Sequence, residues 1–171
     1  MISMSQASSG RTMHLVIITP YKRFFEGEVV SLVINTVDGL MGFMPGHPPV
    51  IVAIRPGMSH LENEEGVVYF SVSEGYCEVS ERGITVICNA AEFPEELSPR
   101  RTCKSYKEAR AGLEQARLIP DKIAREVSIK EYELAIDRAR ARRHLIELHG
   151  SDHQKERMAV LREEYGWTDL F

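Results

Sequence analysis

Apolar and polar positions follow two different rhythms along the chain. From Met13 to about Ala91, short apolar runs rich in Val and Ile alternate with turn signals every eight to twelve residues. The runs are HLVIITP (14–20), EVVSLVINTVDG (28–39), PVIVAIRPG (49–57, with MSHLE following), GVVYFSVSEGYCEVS (66–80) and GITVICNA (83–90). They end at Pro20, Asp38-Gly39, Pro56-Gly57 and Glu81-Arg82-Gly83. Short strands punctuated this way predict a β-sandwich or barrel. In the fourth run Val68, Phe70 and Val72 fall on one face and Tyr69, Ser71 and Ser73 on the other, the two-residue period of a half-buried strand.

After Glu92 the period changes. Pro94 and Pro99 prevent a helix from running straight on from the sheet, so residues 93–103 are expected to be a linker. From about Lys104 to Leu118, Tyr106, Ala109, Leu113 and Ala116 recur at spacings of three and four, a helix stripe of mostly small residues. Pro120 interrupts it. Ser128 and Glu131 form a capping box expected to open a second helix, carrying Ile129, Tyr132, Ile136, Ala139 and Ile146 until Gly150. The two make an antiparallel hairpin over 104–149. It has only about eight apolar side chains to bury, several of them Ala, far too few to offset the ordering of its backbone. Its conformation must therefore depend on what it docks against. Beyond it, in 150–171, Met158, Leu161 and Tyr165 allow a short third helix, with Trp167 and Phe171 either anchors or exposed. Residues 1–12 read as a disordered lead. The expected fold is thus an N-terminal β-sandwich of about ten strands, over 13–92, followed by a C-terminal helical hairpin.

Charge sharpens the division. The net charge of −4 hides 5 basic and 12 acidic residues in 1–99 against 13 basic and 8 acidic in 100–148. No apolar run is long enough to span a bilayer, and the start of the chain resembles neither a secretory signal nor a mitochondrial presequence. Cys77, Cys88 and Cys103, an odd set without C-x-x-C spacing, argue against a disulfide framework or zinc knuckle; Cys77 and Cys88 lie in apolar strand runs, as buried thiols do.

Catalytic signatures are missing. The phosphate-cradling G-x-x-x-x-G-K-S/T and G-x-G-x-x-G patterns and the nucleophile elbow G-x-S-x-G do not occur, and no cysteine has a histidine partner in sequence. His60-Leu61-Glu62 superficially suggests the H-x-E ligands of a cupin-like metal barrel, the alternative reading, with the helices as a protein-binding arm. Such a site needs three or four convergent ligands, and the next histidine after His60 is His144, in a helix. His149 and His153 are separated by Gly150 and read as a solvated tail. Arg138, Arg140, Arg142 and Arg143 place four cations in six helical residues, with Arg138 and Arg142 on one face. An acidic sheet without aromatic-basic interleaving disfavours nucleic acid, which leaves an acidic protein surface or plain solvent.

The order of motifs resembles the epsilon subunit of F-type ATP synthases. It comprises Leu15 to Pro20, then DGLMGFMPGHPP (Asp38 to Pro49), Ile54 to Gly57, Gly75 to Val79, Ala91-Glu92 and the arginine-alanine helix, over roughly residues 13–148. The resemblance implies a non-catalytic central-stalk subunit without a cofactor of its own. Its sandwich binds the gamma subunit and rests on the c-ring, coupling proton flow to rotation. Its hairpin inhibits ATP hydrolysis when extended along gamma toward an acidic loop of a beta subunit. The family also includes the chloroplast epsilon and mitochondrial delta subunits; with no presequence evident, the expected place is the cytoplasmic face of a bacterial plasma membrane, peripheral and without membrane insertion. On this reading Leu40, Met41, Phe43, Met44 and His47 form an apolar rim toward the c-ring and gamma, and Arg138, Arg140, Arg142 and Arg143 contact beta. Many relatives carry an acidic residue where this chain has Leu40, which makes the expected contact apolar. Some members bind ATP as a regulatory ligand through an I/L-D-x-x-R-A motif and two arginines. Here these positions hold Leu97, Ser98, Arg101 and Thr102, with Arg138 and Arg142. Ser98 for the carboxylate and Pro99 at the helix start argue against ATP sensing.

Overall fold

The computed structural model describes residues 11–168; the expected disordered lead falls mostly outside these, as does Phe171. Ten strands come first: β1 (Met13–Ile18), β2 (Arg23–Val29), β3 (Ser31–Thr36), β4 (Gly39–Phe43), β5 (Val50–Ile54), β6 (Gly57–Asn63), β7 (Gly66–Val72), β8 (Gly75–Ser80), β9 (Gly83–Cys88) and β10 (Ala91–Glu92). They hydrogen-bond in the order β10-β7-β6-β3-β5-β8-β9-β1-β2, with β4 paired to β3. Every pairing is antiparallel except β1 with β9. The sheet folds over so that β2 lies against β6, closing a two-layered sandwich. Its core is drawn from every long strand: Leu15, Ile17, Val29, Leu32, Ile34, Phe43, Ile54, Leu61, Phe70, Cys77, Ile84 and Val86 are all essentially inaccessible.

Two motif glycines have physical reasons. Gly39 adopts φ +105°, which turns β3 into β4. At Gly75 an added Cβ would lie 2.0 Å from Ile87 O, so the β8–β9 ladder can close only over a glycine. Gly42 of the same motif has no positive φ and sits within β4.

The helices start earlier than the apolar stripes suggest. After a 3-10 turn at Pro94–Glu96, α1 runs Pro99–Ala116, not from Lys104. Pro99 does not break the helix but occupies its first turn, where its missing N–H is no loss. The hydroxyl of Ser98 caps it by accepting from Arg101 N. The linker therefore shrinks to 93–98. Likewise α2 spans Lys122–His149, capped by Asp121, whose carboxylate accepts from Ala124 N at 2.8 Å. Ser128, read as a cap, lies inside the helix because Asp121 directly follows Pro120 and claims the start first. At 28 residues α2 is about 42 Å long. A third helix, α3 (Asp152–Glu164), follows Gly150, opened by a capping box between Ser151 and Gln154. No helix among the described residues is long and apolar enough to cross a membrane.

The helices make a second core from Leu97, Cys103, Tyr106, Ala109, Leu113, Ile136, Ala139, Leu145, Ile146, Met158, Leu161 and Trp167, with Met58 and Tyr69 of the sheet against it. This changes the reading of β7. Ser71 and Ser73, expected on an open face, are buried, since α2 packs over β6 and β7.

Candidate functional site

Two surfaces hold the residues that the sequence singles out. The first is the corner after β3. In β4 the pleat points Leu40 outward and Phe43 inward. Leu40 is 68% exposed and, just past the strand, Met44 67%, while Met41 is half-buried against the core and Phe43 is fully buried. Phe43 therefore does not belong to an exposed rim; strand alternation assigns it to the core. His47 is half-buried, its ring edge-on to Phe43 at 5.0 Å and its Nδ1 donating to Pro48 O at 2.7 Å. It braces the loop. Gly46, at φ +89°, makes the turn that brings it there.

The second surface is where α2 lies on the sandwich. Arg138 donates to Glu74 Oε1 at 2.6 Å and Arg142 to Glu92 Oε2 at 2.6 Å. In the opposite sense, Arg55 of the sheet side reaches Asp137 at 3.2 Å. Arg138 and Arg142 share a helix face, Glu74 lies just past β7 and Glu92 ends the neighbouring strand β10, so the two pairs form a row. The acidic surface facing the basic helix is thus, in this arrangement, the chain's own sandwich. Neither glutamate is marked out by sequence, although the opposed charges of the two halves are the signal that points to such a pairing. Arg140 lies 3.6 Å from Asp137 on its own helix.

Arg143 departs from the expectation of a basic contact residue. It is only 3% exposed, with its guanidinium 4.8 Å from the Trp167 ring centroid and its Nε 3.7 Å from Glu147. The helical period rotates Arg143 away from Arg138 and Arg142 to the side that α3 and its following residues cover. Trp167, which sequence left between anchor and solvent, is an anchor. It is 1% exposed and stacks on Tyr106 at 3.8 Å and 4°.

Of the three arginines named for an ATP site, Arg101 and Arg142 line one cavity of about 190 Å³ with Glu92, Glu96, Ser98, Thr102 and Ser105, whereas Arg138 does not reach it. Two carboxylates stand in that cavity, and Ser98 Oγ is engaged as the α1 cap.

The histidines of the docking surface act as aromatic rings. His60 on β6 lies 5.3 Å from Tyr69, and Tyr69 stacks on His149 at 3.7 Å and 12°, pinning the last turn of α2 to β7. Burial lowers the His149 pKa, helped by Lys155, His144 and His60 nearby. Among the described residues no group of three or more His, Cys, Asp or Glu could hold a metal ion. The thiols are chemically muted. Burial pushes Cys77 to about 12 and Cys88 and Cys103 to about 11.

Residues 12–94 match the sequence model of the ATP synthase delta/epsilon chain beta-sandwich domain. The ATP synthase epsilon chain of Caldanaerobacter subterraneus is 31% identical over 121 residues, 70% of this chain and 88% of that relative. That of Clostridium novyi is 32% identical over 130 residues, 75% and 93% of the two chains. The chain belongs to the ATP synthase epsilon-chain family. Membership decides against the cupin-like alternative, and the coverage shows this member to be longer than both relatives. The same fold occurs in a chain of the cryo-EM structure of Euglena gracilis mitochondrial ATP synthase (OSCP/F1/c-ring in rotational state 1). That match has a TM-score of 0.61 at 22% identity and covers 81% of this chain and 84% of that one.

Proposed function

We propose that this epsilon-family chain is the non-catalytic central-stalk subunit of a proton-translocating F-type ATP synthase. In this reading the sandwich binds the gamma subunit and meets the c-ring through the corner at Leu40 and Met44, coupling proton flow to rotation. The complex holds it peripherally at the cytoplasmic face of a bacterial plasma membrane. The helical arm restrains ATP hydrolysis when it leaves the sandwich, offering Arg138, Arg140 and Arg142, and Arg143 once uncovered, to an acidic loop of a beta subunit.

The observation that carries this reading is the row of ion pairs, Arg138–Glu74 and Arg142–Glu92, whose side chains remain a quarter to a third exposed. Pairs of this exposure contribute about 1 kcal/mol or less each, because water and salt screen them. A partner presenting equivalent carboxylates can therefore exchange with the sandwich at little net cost. Reconstitution with the remaining F1 subunits tests it. The chain should co-purify with gamma, and Glu74→Gln with Glu92→Gln should deepen inhibition of ATP hydrolysis by releasing the arm. Hydrolysis indifferent to both substitutions and to removal of the helices would exclude an inhibitory arm. Leu40→Glu should weaken coupling without unfolding the sandwich if this corner meets an apolar c-ring surface. ATP is not part of the reading: the Ser98 hydroxyl serves the helix cap, and glutamates share the cavity of Arg101 and Arg142. Calorimetry on the isolated chain tests that; saturable binding lost in Arg142→Ala would restore an ATP site.

A further inference from the structure

The segment after α2 touches all three parts that must move if the arm is to open. Gln154 Nε2 donates to Pro94 O and to Leu97 O, each at 2.8 Å, and so ties the start of α3 to the linker joining sandwich and helices. On α1, Met158 packs at 3.6 Å on the Cys103 thiol, Trp167 stacks on Tyr106, and Lys107 lies 5.6 Å from the Tyr165 ring centroid. On α2, Arg162 pairs with Glu147 at 2.9 Å, and Trp167 covers Arg143. Met158, Leu161 and Trp167 are all fully buried by these contacts. Separating α1 from α2 would expose three large apolar side chains together with the Arg143 guanidinium.

We propose that residues 151–167 are a clasp that locks α1, α2 and their linker in the closed arrangement and sequesters Arg143. Release of α3 is then the step that precedes any opening of the arm. The clasp divides the four arginines into two classes. Arg138 and Arg142 are held by partly exposed pairs at the rim of the arm and exchange first. Arg143 becomes available only when Trp167 leaves. The inference concerns the closed chain alone and holds whether or not the arm inhibits hydrolysis.

The sole tryptophan of the sequence makes the clasp observable in the full-length chain, because Trp167 emission should shift to the red when its ring enters water. Substituting Gln154→Ala together with Arg162→Ala should produce that shift. In the same variant amide hydrogen exchange should quicken in α1, in the C-terminal half of α2 and in the linker, while the strands keep wild-type protection. Trp167→Ala should speed exchange in those helices roughly 100-fold or more, as expected for truncating a large buried aromatic, and should let Cys103 react with a thiol reagent before Cys77 and Cys88. Trp167→Phe, which keeps a ring between Tyr106 and Arg143, should restore most of the protection. Helix protection that stays at the wild-type level while Trp167 emission shifts overturns the proposal. So does loss of strand protection in step with the helices, since α3 would then belong to one global core.

Discussion

The sandwich and the helical unit are stabilised by different means. In the sandwich, long aliphatic and aromatic side chains from strands distant in sequence fill one closed core, and backbone ladders join all ten strands. The seam between α1 and α2 sets small residues such as Ala109 and Ala139 beside Tyr106, Leu113, Ile136, Leu145 and Ile146, and it is completed from outside by Met158 and Leu161 of α3 and by Trp167 just after it. Between the two regions run a few ion pairs, one aromatic stack, the apolar contacts of Met58 and Tyr69 and a covalent linker. An element attached this way can detach while its platform stays folded, which is the physical requirement for a moving part.

The largest expected effect tests the platform. Phe70 is fully buried, with Phe24 at 5.6 Å and Phe93 stacked in turn on Phe24 at 4.2 Å. Phe70→Ala should destabilise the protein by about 3–5 kcal/mol in chemical denaturation, abolishing strand and helix signals together. A helical signal surviving loss of the strands would mean that α1–α3 fold without their platform. The complementary experiment ends the chain after Glu96. The remaining sandwich should still melt cooperatively, with Met58 and Tyr69 newly exposed. A chain that lost its cooperative transition would show the helices to be part of a single folding unit.

The asymmetry also explains what sequence made legible. The sheet was readable because apolar period and turn chemistry act locally: Gly39, Gly83 and Pro56 mark their turns whatever packs above. The stripe Tyr106, Ala109, Leu113 and Ala116 is buried as its spacing predicts. Element starts were less legible, since Asp121 competes with Ser128 as the cap of α2, and Ser98 caps α1 ahead of its apolar stripe; only the folded backbone selects among them. Burial imposed by a third element was not legible at all. Nothing in the spacing of Arg143 distinguishes it from Arg142; Trp167, 24 residues away, makes the difference. Phe43 is the opposite case, because its inward direction follows from β4 alternation once the strand limits are known. The acidic partners of the arm were hidden for another reason: Glu74 and Glu92 become neighbours only through the β7–β10 pairing.

A moderate effect is expected where the two regions meet. Arg142→Ala and Arg138→Ala should each weaken docking by about 1 kcal/mol, less at high salt, with strand stability unchanged. A double-mutant cycle of Arg142→Ala with Glu92→Ala measured by hydrogen exchange in α2 isolates the pair. A coupling near zero at low salt would assign docking to the apolar contacts of Met58 and Tyr69 alone.

The smallest effect concerns pH. His149 stacks on Tyr69, and burial, with Lys155 on α3, His144 on α2 and His60 on β6, lowers its pKa in the docked state. Unfolded or undocked, it titrates near the ordinary value of about 6.5. Between the lowered value and that one the undocked form binds more protons, so docking is at full strength above about pH 6.5 and weakens as pH falls below it. The Lys22–Glu96 pair is unaffected over this range, because Glu96 is held below the ordinary carboxylate value. Its burial acts in the other direction but is outweighed by Lys22 and the Phe93 N–H. Comparing wild type with His149→Gln by exchange protection of the last α2 turn, corrected for intrinsic rate, should show extra wild-type loss as pH falls below about 6.5. Equal losses would place the titration elsewhere. Stronger wild-type docking on acidification would mean that protonated His149 gains a carboxylate, which would make the joint between arm and platform tighten in acid rather than loosen.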